Sequence, residues 1–566
     1  MTSRKVHDST NSDMETFEKS NIISTEEEDE SSEDIIAYRI RKRQNIFESD
    51  SSIDETKNAI PVKSIRRQTI WHANKDNNFT GNCPTFLGSN EIQISGETPY
   101  SYFNQIYTDD IFNHIVQETI RFSVDCGKDT FRTNISEMKQ FFAINIVMTY
   151  IHYPNYRLYW SANSSLRLGI IADTMSLKRF EEIKKFMHYK NNHDIWKDCK
   201  DIFIKVRPIL DMLSEKFEEA TMPTEFQAID EMIIPFKGRH RGKQYLKSKP
   251  KQWGFKVWVR ASQDGYVSKF EMYQRLLSPS TEIGIIGDTV LRLAEGLENK
   301  NHKLFLDNLF TSIPTLLNLQ SKGIYVVGTI RANRLKEAND KLIHPKILAK
   351  QGRGSISVVT STDNITILRW SDNNIVHMIS SYAGVEPKDF VQKWDRKEKK
   401  YVDVMRPFAV SEYNKFMGGV DLCDRMIAHY PHALKSKKFY HRIAFTFLNI
   451  SIINAWILFK RDEKSDMSLL EFKASIACTM IQLCDSREKK RGRPSISTDE
   501  LTPKKLKSWI KVEPDIRIDG VGHYPKKMNL KNALRCHDKI CNKRTRYTCC
   551  KCNEPVCPEC MENFHK

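Results

Sequence analysis

Four aspartates lie where a folded chain could gather carboxylates around metal ions. Asp230 lies inside a strongly apolar run, Asp307 ends another, Asp421 stands at the start of a predicted helix, and Asp424 follows it by three residues. A carboxylate in a buried strand is costly unless it is paired or binds a cation. Such oxygens suit Mg²⁺, and a pair of these ions can activate a water or a 3′-hydroxyl and stabilise the leaving oxygen of a phosphodiester. For each aspartate taken singly, a strand-end or helix-capping role is the alternative.

Basic residues follow the first of these aspartates closely. They are Lys237, Arg239, Arg241, Lys243, Lys247, Lys249 and Lys251. A positive rim beside a metal site would hold phosphates and release counterions. Tyr245 and Trp253 are interleaved with them as possible stacking groups, which favours contact with DNA. A solvated loop is the alternative for the lysines and arginines, and Trp253 fits a core position equally well.

A second set of ligand types lies near the end of the chain, where seven of the 13 cysteines fall between Cys536 and Cys560. Pairs at C-x2-C spacing are typical of zinc sites, and residues 521–566 contain too few apolar residues to fold without metal. The candidates are His523, Cys536, Cys541, Cys549, Cys552, Cys557, Cys560 and His565. In a cross-brace, Cys536, Cys541, Cys557 and Cys560 would hold one Zn²⁺. Cys549, Cys552 and His565 would hold a second, with His523 or its rival His537 as the fourth ligand.

Composition narrows the class of protein. The chain has 566 residues, 40% of them hydrophobic, with a formal net charge of +17, so we expect a largely globular protein with a polyanionic partner such as nucleic acid. The first 30 residues hold no apolar core, which argues against a secreted protein and hence against disulfides. The most apolar stretch, 443–459, contains four polar residues and predicts a buried helix rather than a membrane span.

The hydrophobic pattern predicts an order of elements. Residues 98–222 have helical periodicity, 223–333 alternate strands and helices, 334–407 carry short β-prone runs, and helical patterns return from 411 to about 485. Residues 1–97 are polar and predict disorder, with 11 Asp and Glu against three Lys and Arg up to residue 34. This acidic leader is either a solvated tail or a mimic of a DNA strand that competes for the basic surface.

The segment 486–520 predicts a basic linker. Its sequence 489–494 contains Arg491 and Arg493 in an Arg-Gly-Arg-Pro core, which suits either an AT-hook in a narrow minor groove or a nuclear signal. From residue 486 to the end there are 20 Lys and Arg against 10 Asp and Glu, or 20 − 10 = +10 of the total charge. This charge favours DNA as the partner of the zinc module, although similar modules also bind proteins.

Several motifs, in order along the chain, resemble the piggyBac family of DNA transposases. They are 229–232, 236–239, 249–256, 306–312, 328–334 and 413–421 with Asp424, followed by the Cys and His tail. The resemblance implies an α/β RNase H-like catalytic domain (223–333 and 408–432) interrupted by an all-β insertion (334–407). It also implies a flanking helical DNA-binding and dimerisation domain (98–222 and 433–485), and a C-terminal zinc cross-brace (521–566) that reads transposon-end DNA.

The resemblance further implies that Asp230, Asp307 and Asp421 bind two Mg²⁺ or Mn²⁺ ions, with Asp424 as an accessory carboxylate. No member of this triad is replaced. The implied reaction is cut-and-paste transposition in the nucleus by a homodimer or a larger assembly. Water nicks the transposon end, the freed 3′-hydroxyl forms a hairpin, and after the hairpin opens the 3′ ends join a TTAA target.

Two other functions are open on sequence grounds. One is a domesticated relative that binds DNA or chromatin without transposing. The other is a RING-like protein-binding factor, which would not need the acidic triad.

Overall fold

The computed structural model describes residues 69–73, 83–247, 249, 251–274, 283–395, 399–432, 434, 436–484, 517–530, 532–538 and 540–566. The acidic leader up to residue 68 and the predicted AT-hook, with Arg491 and Arg493, lie outside these residues. The chain divides into two compact units, Met1–Ser486 and Arg487–Lys566.

The elements of the first unit follow one another in this order. The first are β1 (Trp71–Ala73), α1 (Pro99–Ile106), α2 (Asp109–Asp125), α3 (Ile135–Val147), α4 (Gly169–Ala172), α5 (Leu177–Phe186) and α6 (Arg207–Glu219). Next are β2 (Phe226–Pro235), β3 (Gln244–Tyr245), β4 (Trp253–Ser262), β5 (Val267–Met272), α7 (Ile285–Ala294), β6 (Lys303–Leu306), α8 (Ile313–Ser321) and β7 (Tyr325–Thr329). Then come α9 (Ala338–Lys341), α10 (Pro345–Lys350), β8 (Ile356–Ser361), β9 (Thr366–Ser371), β10 (Ile375–Ser380), β11 (Asp389–Asp395) and β12 (Lys400–Arg406). The last are α11 (Phe408–Phe416), α12 (Gly419–His429), α13 (Phe439–Glu463) and α14 (Leu469–Leu483).

Ten described strands form one mixed sheet in the order β1-β8-β9-β10-β7-β6-β2-β4-β3, with β5 also paired to β4. Strands β2, β4 and β5 run antiparallel, and the β4–β5 hairpin turns at Gly265, whose φ of 91° favours glycine. Strands β2, β6 and β7 run parallel, so their connections need the crossover helices α7 and α8. Parallel pairing brings the carboxyl ends of these strands to one edge of the sheet.

Helices from both ends of the chain share a single core beside the sheet. Phe142 of α3 stacks on Phe445 of α13 with ring centroids 5.2 Å apart, and the Gln140 side chain of α3 donates to the Cys484 carbonyl after α14 at 2.9 Å. Helix α13 is long and apolar enough to cross a membrane, but 89% of its most apolar window is buried inside the protein. Its apolar residues are therefore explained by a core position, as the sequence predicted.

Strands β8, β9 and β10 extend the central sheet. The sequence predicted a β-rich insertion over 334–407, and these three strands lie within it but join the central sheet, because β10 pairs directly with β7. Strands β11 and β12 do form a hairpin of their own.

Order also begins earlier than the predicted boundary at residue 98. Strand β1 pairs antiparallel with β8, and Trp71 within it is only 3% exposed. The Gln93 amide donates to the Ala220 carbonyl at 2.9 Å, which ties the chain before α1 to the end of α6. The prediction of disorder throughout 1–97 is therefore wrong for 71–73 and for the residues before α1.

The second unit is built from short elements around sulfur atoms. These elements are β13 (Pro525–Lys527), β14 (Leu534–Arg535), β15 (Arg544–Thr545), β16 (Tyr547–Cys549) and α15 (Met561–Phe564). Its small core combines four cysteines with Val556, Met561 and Phe564. So small a core needs additional cross-links, as expected for a metal-stabilised module.

Candidate active site and metal-binding clusters

Strand register places two of the predicted aspartates side by side. Ile229 of β2 pairs with Leu306 of β6 in parallel register, so the next residues, Asp230 within β2 and Asp307 just after the end of β6, are neighbours. Asp307 is further fixed by Thr329 at the end of β7, whose hydroxyl donates to Asp307 Oδ1 at 3.1 Å. The Glu231 amide donates to Asp230 Oδ1 at 2.7 Å.

The third aspartate, Asp421, lies on helix α12, which packs on the neighbouring strands. Helix α12 begins where Gly419 lies against β4, and a Cβ on this glycine would stand 2.3 Å from the Ser262 carbonyl oxygen. Only glycine allows this approach without displacing the helix. Asp421, in the first turn of α12, has 66% of its side chain exposed, and Asp424 lies one turn further and is half-buried.

The four carboxylates are close enough for their charges to act on one another. The pKa of half-buried Asp230 is raised to about 6, first by burial and then by the negative charges of Asp421 and Asp307, while the Glu231 amide and Lys249 act in the opposite direction. Burial likewise raises the pKa of Asp424 to about 7, with Asp421 and Asp230 adding to the effect. Burial and the charge of Asp307 also raise the pKa of the nearby Tyr413 phenol. The structure thus brings the four predicted residues to one site.

Lys249 is the basic residue that reaches this carboxylate group. Its ammonium lies 3.9 Å from Asp421 Oδ1 and donates to the Glu231 carbonyl at 3.2 Å. Burial is the main influence on the pKa of Asp424 and raises it, whereas the positive charge of Lys249 lowers it. Lys251 also lowers this pKa.

Four of the other predicted DNA contacts lie on the surface of the protein. Lys237, Arg239, Arg241 and Lys251 are exposed. Trp253 is 51% exposed, so a core position for it is excluded, and its ring lies 4.8 Å from that of Tyr245. Lys243 sits over the Trp253 ring at 4.8 Å. The result is an open surface that combines basic and aromatic side chains.

Arg334 fixes the loop after Asp307, a role that the sequence did not predict. Its Nη1 donates to the carbonyls of Asn308, Leu309 and Thr311 at 3.0, 3.0 and 2.8 Å. The only signal for it was its place in motif 328–334. A groove of about 440 Å³ starts at Asp307 and runs between Thr329 and the beginning of β10.

The donor set of the carboxylate site fits a hard divalent cation, because it offers only oxygens and carries several like charges close together. The carboxylates are less tightly gathered than the sulfur and nitrogen ligands of the second unit. Among the described residues, only the two Cys and His clusters bring all their ligand atoms within 4.8 Å of one another.

These clusters divide the eight predicted zinc ligands into two sets of four. One is Cys536, Cys541, Cys557 and Cys560, and the other is His523, Cys549, Cys552 and His565. Thiolates and imidazoles in fours are the usual donors of structural Zn²⁺ sites. The alternation of ligand pairs along the chain is that of the predicted cross-brace.

Both histidines of the second cluster have a polar partner at the ring nitrogen that faces away from the cluster. The Nδ1 atom of His523 lies 3.2 Å from Cys549 Sγ, while its Nε2 lies 2.8 Å from an Asp519 carboxylate oxygen. His565 presents Nε2 to the cluster and places Nδ1 2.7 Å from the Met561 carbonyl. Such outer partners fix which ring nitrogen is free to bind metal.

The structure also separates the two candidates for the last ligand position. His537, the rival of His523, lies outside both clusters and pairs with the buried Glu554 carboxylate at 2.6 Å. Cys550 is exposed and belongs to neither cluster.

Known proteins resemble this chain over most of its length. A family model described as Transposase IS4 matches residues 98–456. The chain is 28% identical over 474 residues to human "PiggyBac transposable element-derived protein 3" and 27% identical over 475 residues to human "PiggyBac transposable element-derived protein 2". Each match covers 83% of this chain and 76% of the relative.

A solved structure shares the fold. It is described as a piggyBac transposase synaptic complex with hairpin DNA, and it superposes with a TM-score of 0.61 at 19% identity, over 82% of this chain and 98% of the other.

Proposed function

The chain belongs to the Transposase IS4 family and within it to the piggyBac proteins, and from this we propose that it is a cut-and-paste DNA transposase whose aspartates carry the chemistry. The observation that carries the proposal is the convergence of Asp230, Asp307 and Asp421 from two strands and a helix on one open edge of the sheet. Carboxylates that repel one another destabilise the fold, so a group of them at an accessible site indicates a functional role.

In the proposed mechanism Asp230, Asp307 and Asp421 would hold two Mg²⁺ or Mn²⁺ ions, with Asp424 as an accessory carboxylate. Ions bound there would supply activation of the attacking oxygen and stabilisation of the leaving oxygen in phosphoryl transfer. Thr329 orients the Asp307 carboxylate by its hydrogen bond, and Arg334 holds the loop that follows. Lys249 places a positive charge beside the carboxylates, where a DNA phosphate would approach.

The surrounding fold supports an RNase H-like assignment of the catalytic part. Its order β5-β4-β2-β6-β7 combines an antiparallel meander with two parallel strands reached through helices. One carboxylate within strand β2, one directly after the adjacent strand β6 and one on a following helix suit a chemistry that needs little more than positioned metal ions.

The remaining roles are proposed from charge and donor chemistry. The two Cys and His clusters each take one Zn²⁺ and stabilise a basic module that binds transposon-end DNA. The exposed residues Lys237, Arg239, Arg241 and Lys251 contact duplex DNA, and Arg491 and Arg493 are proposed to enter a minor groove. The protein would act in the nucleus as a homodimer or larger assembly that passes through DNA hairpins and targets TTAA.

The proposal is tested with labelled duplexes made from the genomic sequences that flank the reading frame. Wild-type protein with Mg²⁺ should nick these ends and form hairpins, and Asp307→Asn should abolish both products. Asp129→Asn, which changes an exposed carboxylate on a loop of the helical part, should cleave as wild type does. Cleavage that survives Asp307→Asn would end the assignment of the triad.

A domesticated DNA-binding protein is the second candidate, favoured by one observation. The human relatives at 27 and 28% identity are named as proteins derived from transposable elements. In that case wild-type protein would bind the duplexes but give no nick or hairpin with either Mg²⁺ or Mn²⁺.

A further inference from the structure

Helix α11 carries a tyrosine, Tyr413, to the site of the predicted triad. One turn after it, Phe416 stacks on Phe226 of β2 with ring centroids 3.7 Å apart, which fixes the helix against the strand that contains Asp230. Tyr413 itself is half-buried and packs on the same hydrophobic cluster as Phe416. Side chains three positions apart share one face of a helix, so the Tyr413 ring also points towards the sheet.

The hydroxyl of Tyr413 lies among the carboxylates. Asp307, Asp230 and Asp421 are all close enough for their charges to act on the phenol. The phenol is also hydrogen-bonded to the Thr329 hydroxyl at the end of β7. A phenylalanine would serve for packing alone, so the hydroxyl at this position has a role of its own.

Thr329 joins Tyr413 to the Asp307 carboxylate. Its hydroxyl donates to Asp307 Oδ1 at 3.1 Å. A threonine hydroxyl has one proton to donate and two lone pairs that can accept. Because the proton of Thr329 is directed to Asp307, the Tyr413 phenol is the donor in the second hydrogen bond. The result is a chain of two hydrogen bonds that runs from Tyr413 through Thr329 to Asp307.

The backbone of Asp307 is held separately from its side chain. Its carbonyl accepts hydrogen bonds from the amides of Phe310 and Thr311 at 3.0 and 3.2 Å, and from the Thr311 hydroxyl at 2.8 Å. These contacts fix the main chain but leave the carboxylate able to rotate about its side-chain bonds. The hydrogen bond from Thr329 therefore sets the orientation of the carboxylate, and a donor behind Thr329 keeps that hydroxyl turned towards Asp307.

We propose that Tyr413 is a positioning residue, which holds the Asp307 carboxylate in its metal-binding orientation through the Thr329 hydroxyl. This inference rests on the proposed function, because it assumes that the carboxylates bind Mg²⁺ or Mn²⁺. Partners behind a metal ligand fix its orientation, and their loss commonly weakens metal binding by about 10- to 100-fold. Since Tyr413 acts through Thr329, loss of its hydroxyl should weaken metal binding without abolishing it.

The test measures Mn²⁺ binding to the full, zinc-loaded chain without DNA, from the electron paramagnetic resonance signal of free Mn²⁺. Tyr413→Phe keeps the ring and removes the hydroxyl, and should raise the Kd for Mn²⁺ by about 10-fold. Thr329→Val should do the same, whereas Thr329→Ser, which keeps a hydroxyl, should bind as wild type does. Tyr325→Phe is the matched control, because Tyr325 lies at the opposite end of β7, and it should leave the Kd unchanged.

A double-mutant cycle tests whether Tyr413 acts through Thr329. If it does, Tyr413→Phe combined with Thr329→Val should raise the Kd for Mn²⁺ no further than Thr329→Val alone. In the nicking assay, Tyr413→Phe should raise the Mg²⁺ concentration for half-maximal rate by about 10-fold. Its rate at saturating Mg²⁺ should stay within about 3-fold of wild type, because metal then occupies the site in both proteins.

Two results would overturn the proposal. The first is an unchanged Kd for Mn²⁺ in Tyr413→Phe, which would leave the hydroxyl a role in stability or in contact with DNA. The second is a product of the two single fold-changes in the double variant, which would show that Tyr413 and Thr329 act independently.

Asp307→Asn separates this inference from the proposed function. If Asp307→Asn binds Mn²⁺ as wild type does, the metal site of the proposed function fails. If it loses binding while the Kd of Tyr413→Phe is unchanged, the positioning role of Tyr413 alone fails.

Discussion

Replacing Asp230 by asparagine should stabilise the protein while removing its cleavage activity. The Asp230 carboxylate is half-buried beside two further carboxylates, and its pKa is about 6 against an ordinary value of 3.8. Holding it ionised at neutral pH therefore costs folding free energy when Mg²⁺ and Mn²⁺ are withheld. An asparagine has no charge, and its side-chain oxygen can still accept the hydrogen bond from the Glu231 amide.

The size of the effect follows from that pKa difference. A difference of about two pH units, at about 1.4 kcal/mol for each, gives an upper value of about 3 kcal/mol. The carboxylate keeps some contact with water, so the measured gain should lie below this value. For a cooperative unit of about 400 residues, 3 kcal/mol corresponds to a rise in Tm of roughly 4 °C.

The pH dependence has a definite sign. Because the folded-state pKa of Asp230 lies above its unfolded-state value, the wild-type penalty is present in full above about pH 7. It fades as the pH falls through about 6 and is gone below about 4. The stability advantage of Asp230→Asn should therefore shrink steadily between pH 7.5 and pH 4.5.

Differential scanning fluorimetry over this pH range measures the advantage, with Asp129→Asn as a control in which an exposed carboxylate is lost. The control should stay within about 0.5 kcal/mol of wild type. A Tm of Asp230→Asn at pH 7.5 equal to or below that of wild type would refute the reasoning, because the carboxylates would then not repel one another.

Two further predictions concern the helix and the zinc module. Gly419→Ala should shift α12 away from the Ser262 carbonyl, lower the free energy of unfolding by about 1–3 kcal/mol and reduce cleavage. In the same melting and nicking assays, Gly418→Ala should change neither stability nor cleavage, because the space around its new methyl group is open. Cys549→Ser should lower the zinc content measured by mass spectrometry from two ions per chain to one. Cys550→Ser, which changes an exposed thiol outside both clusters, should leave two, and an equal loss in both variants would contradict the ligand assignment.

Sequence patterns predicted those features of the structure that depend on contacts between residues close together in the chain. Strand β2, 226–235, lies at the start of the stretch 223–333 in which the sequence predicts alternating strands and helices. The partition of zinc candidates into two fours also follows from short spacings, since C-x2-C pairs can turn onto one ion only within a few residues. The choice between His523 and His537 needed the fold, because it depends on the pairing of His537 with Glu554.

Features set by distant contacts could not be obtained in this way. The triad residues are 307 − 230 = 77 and 421 − 307 = 114 positions apart, and spacings of this size fit many folds. Their convergence depends on the parallel register of β2 and β6 and on the close approach at Gly419. The β11–β12 hairpin was missed because its strands mix charged and apolar residues and lack a continuous β-prone run.

The short strand β1 has a consequence for how the protein can be shortened. Strand β8 is rich in β-branched residues, and on its outer side the pairing partner is β1, whose Trp71 is almost fully covered. Cutting the chain at the start of the helical part would uncover the peptide groups of β8 and leave them free to pair with the same strand of another molecule. Protein that begins near residue 98 should therefore aggregate when it is concentrated, whereas protein that keeps residues 69–97 should not.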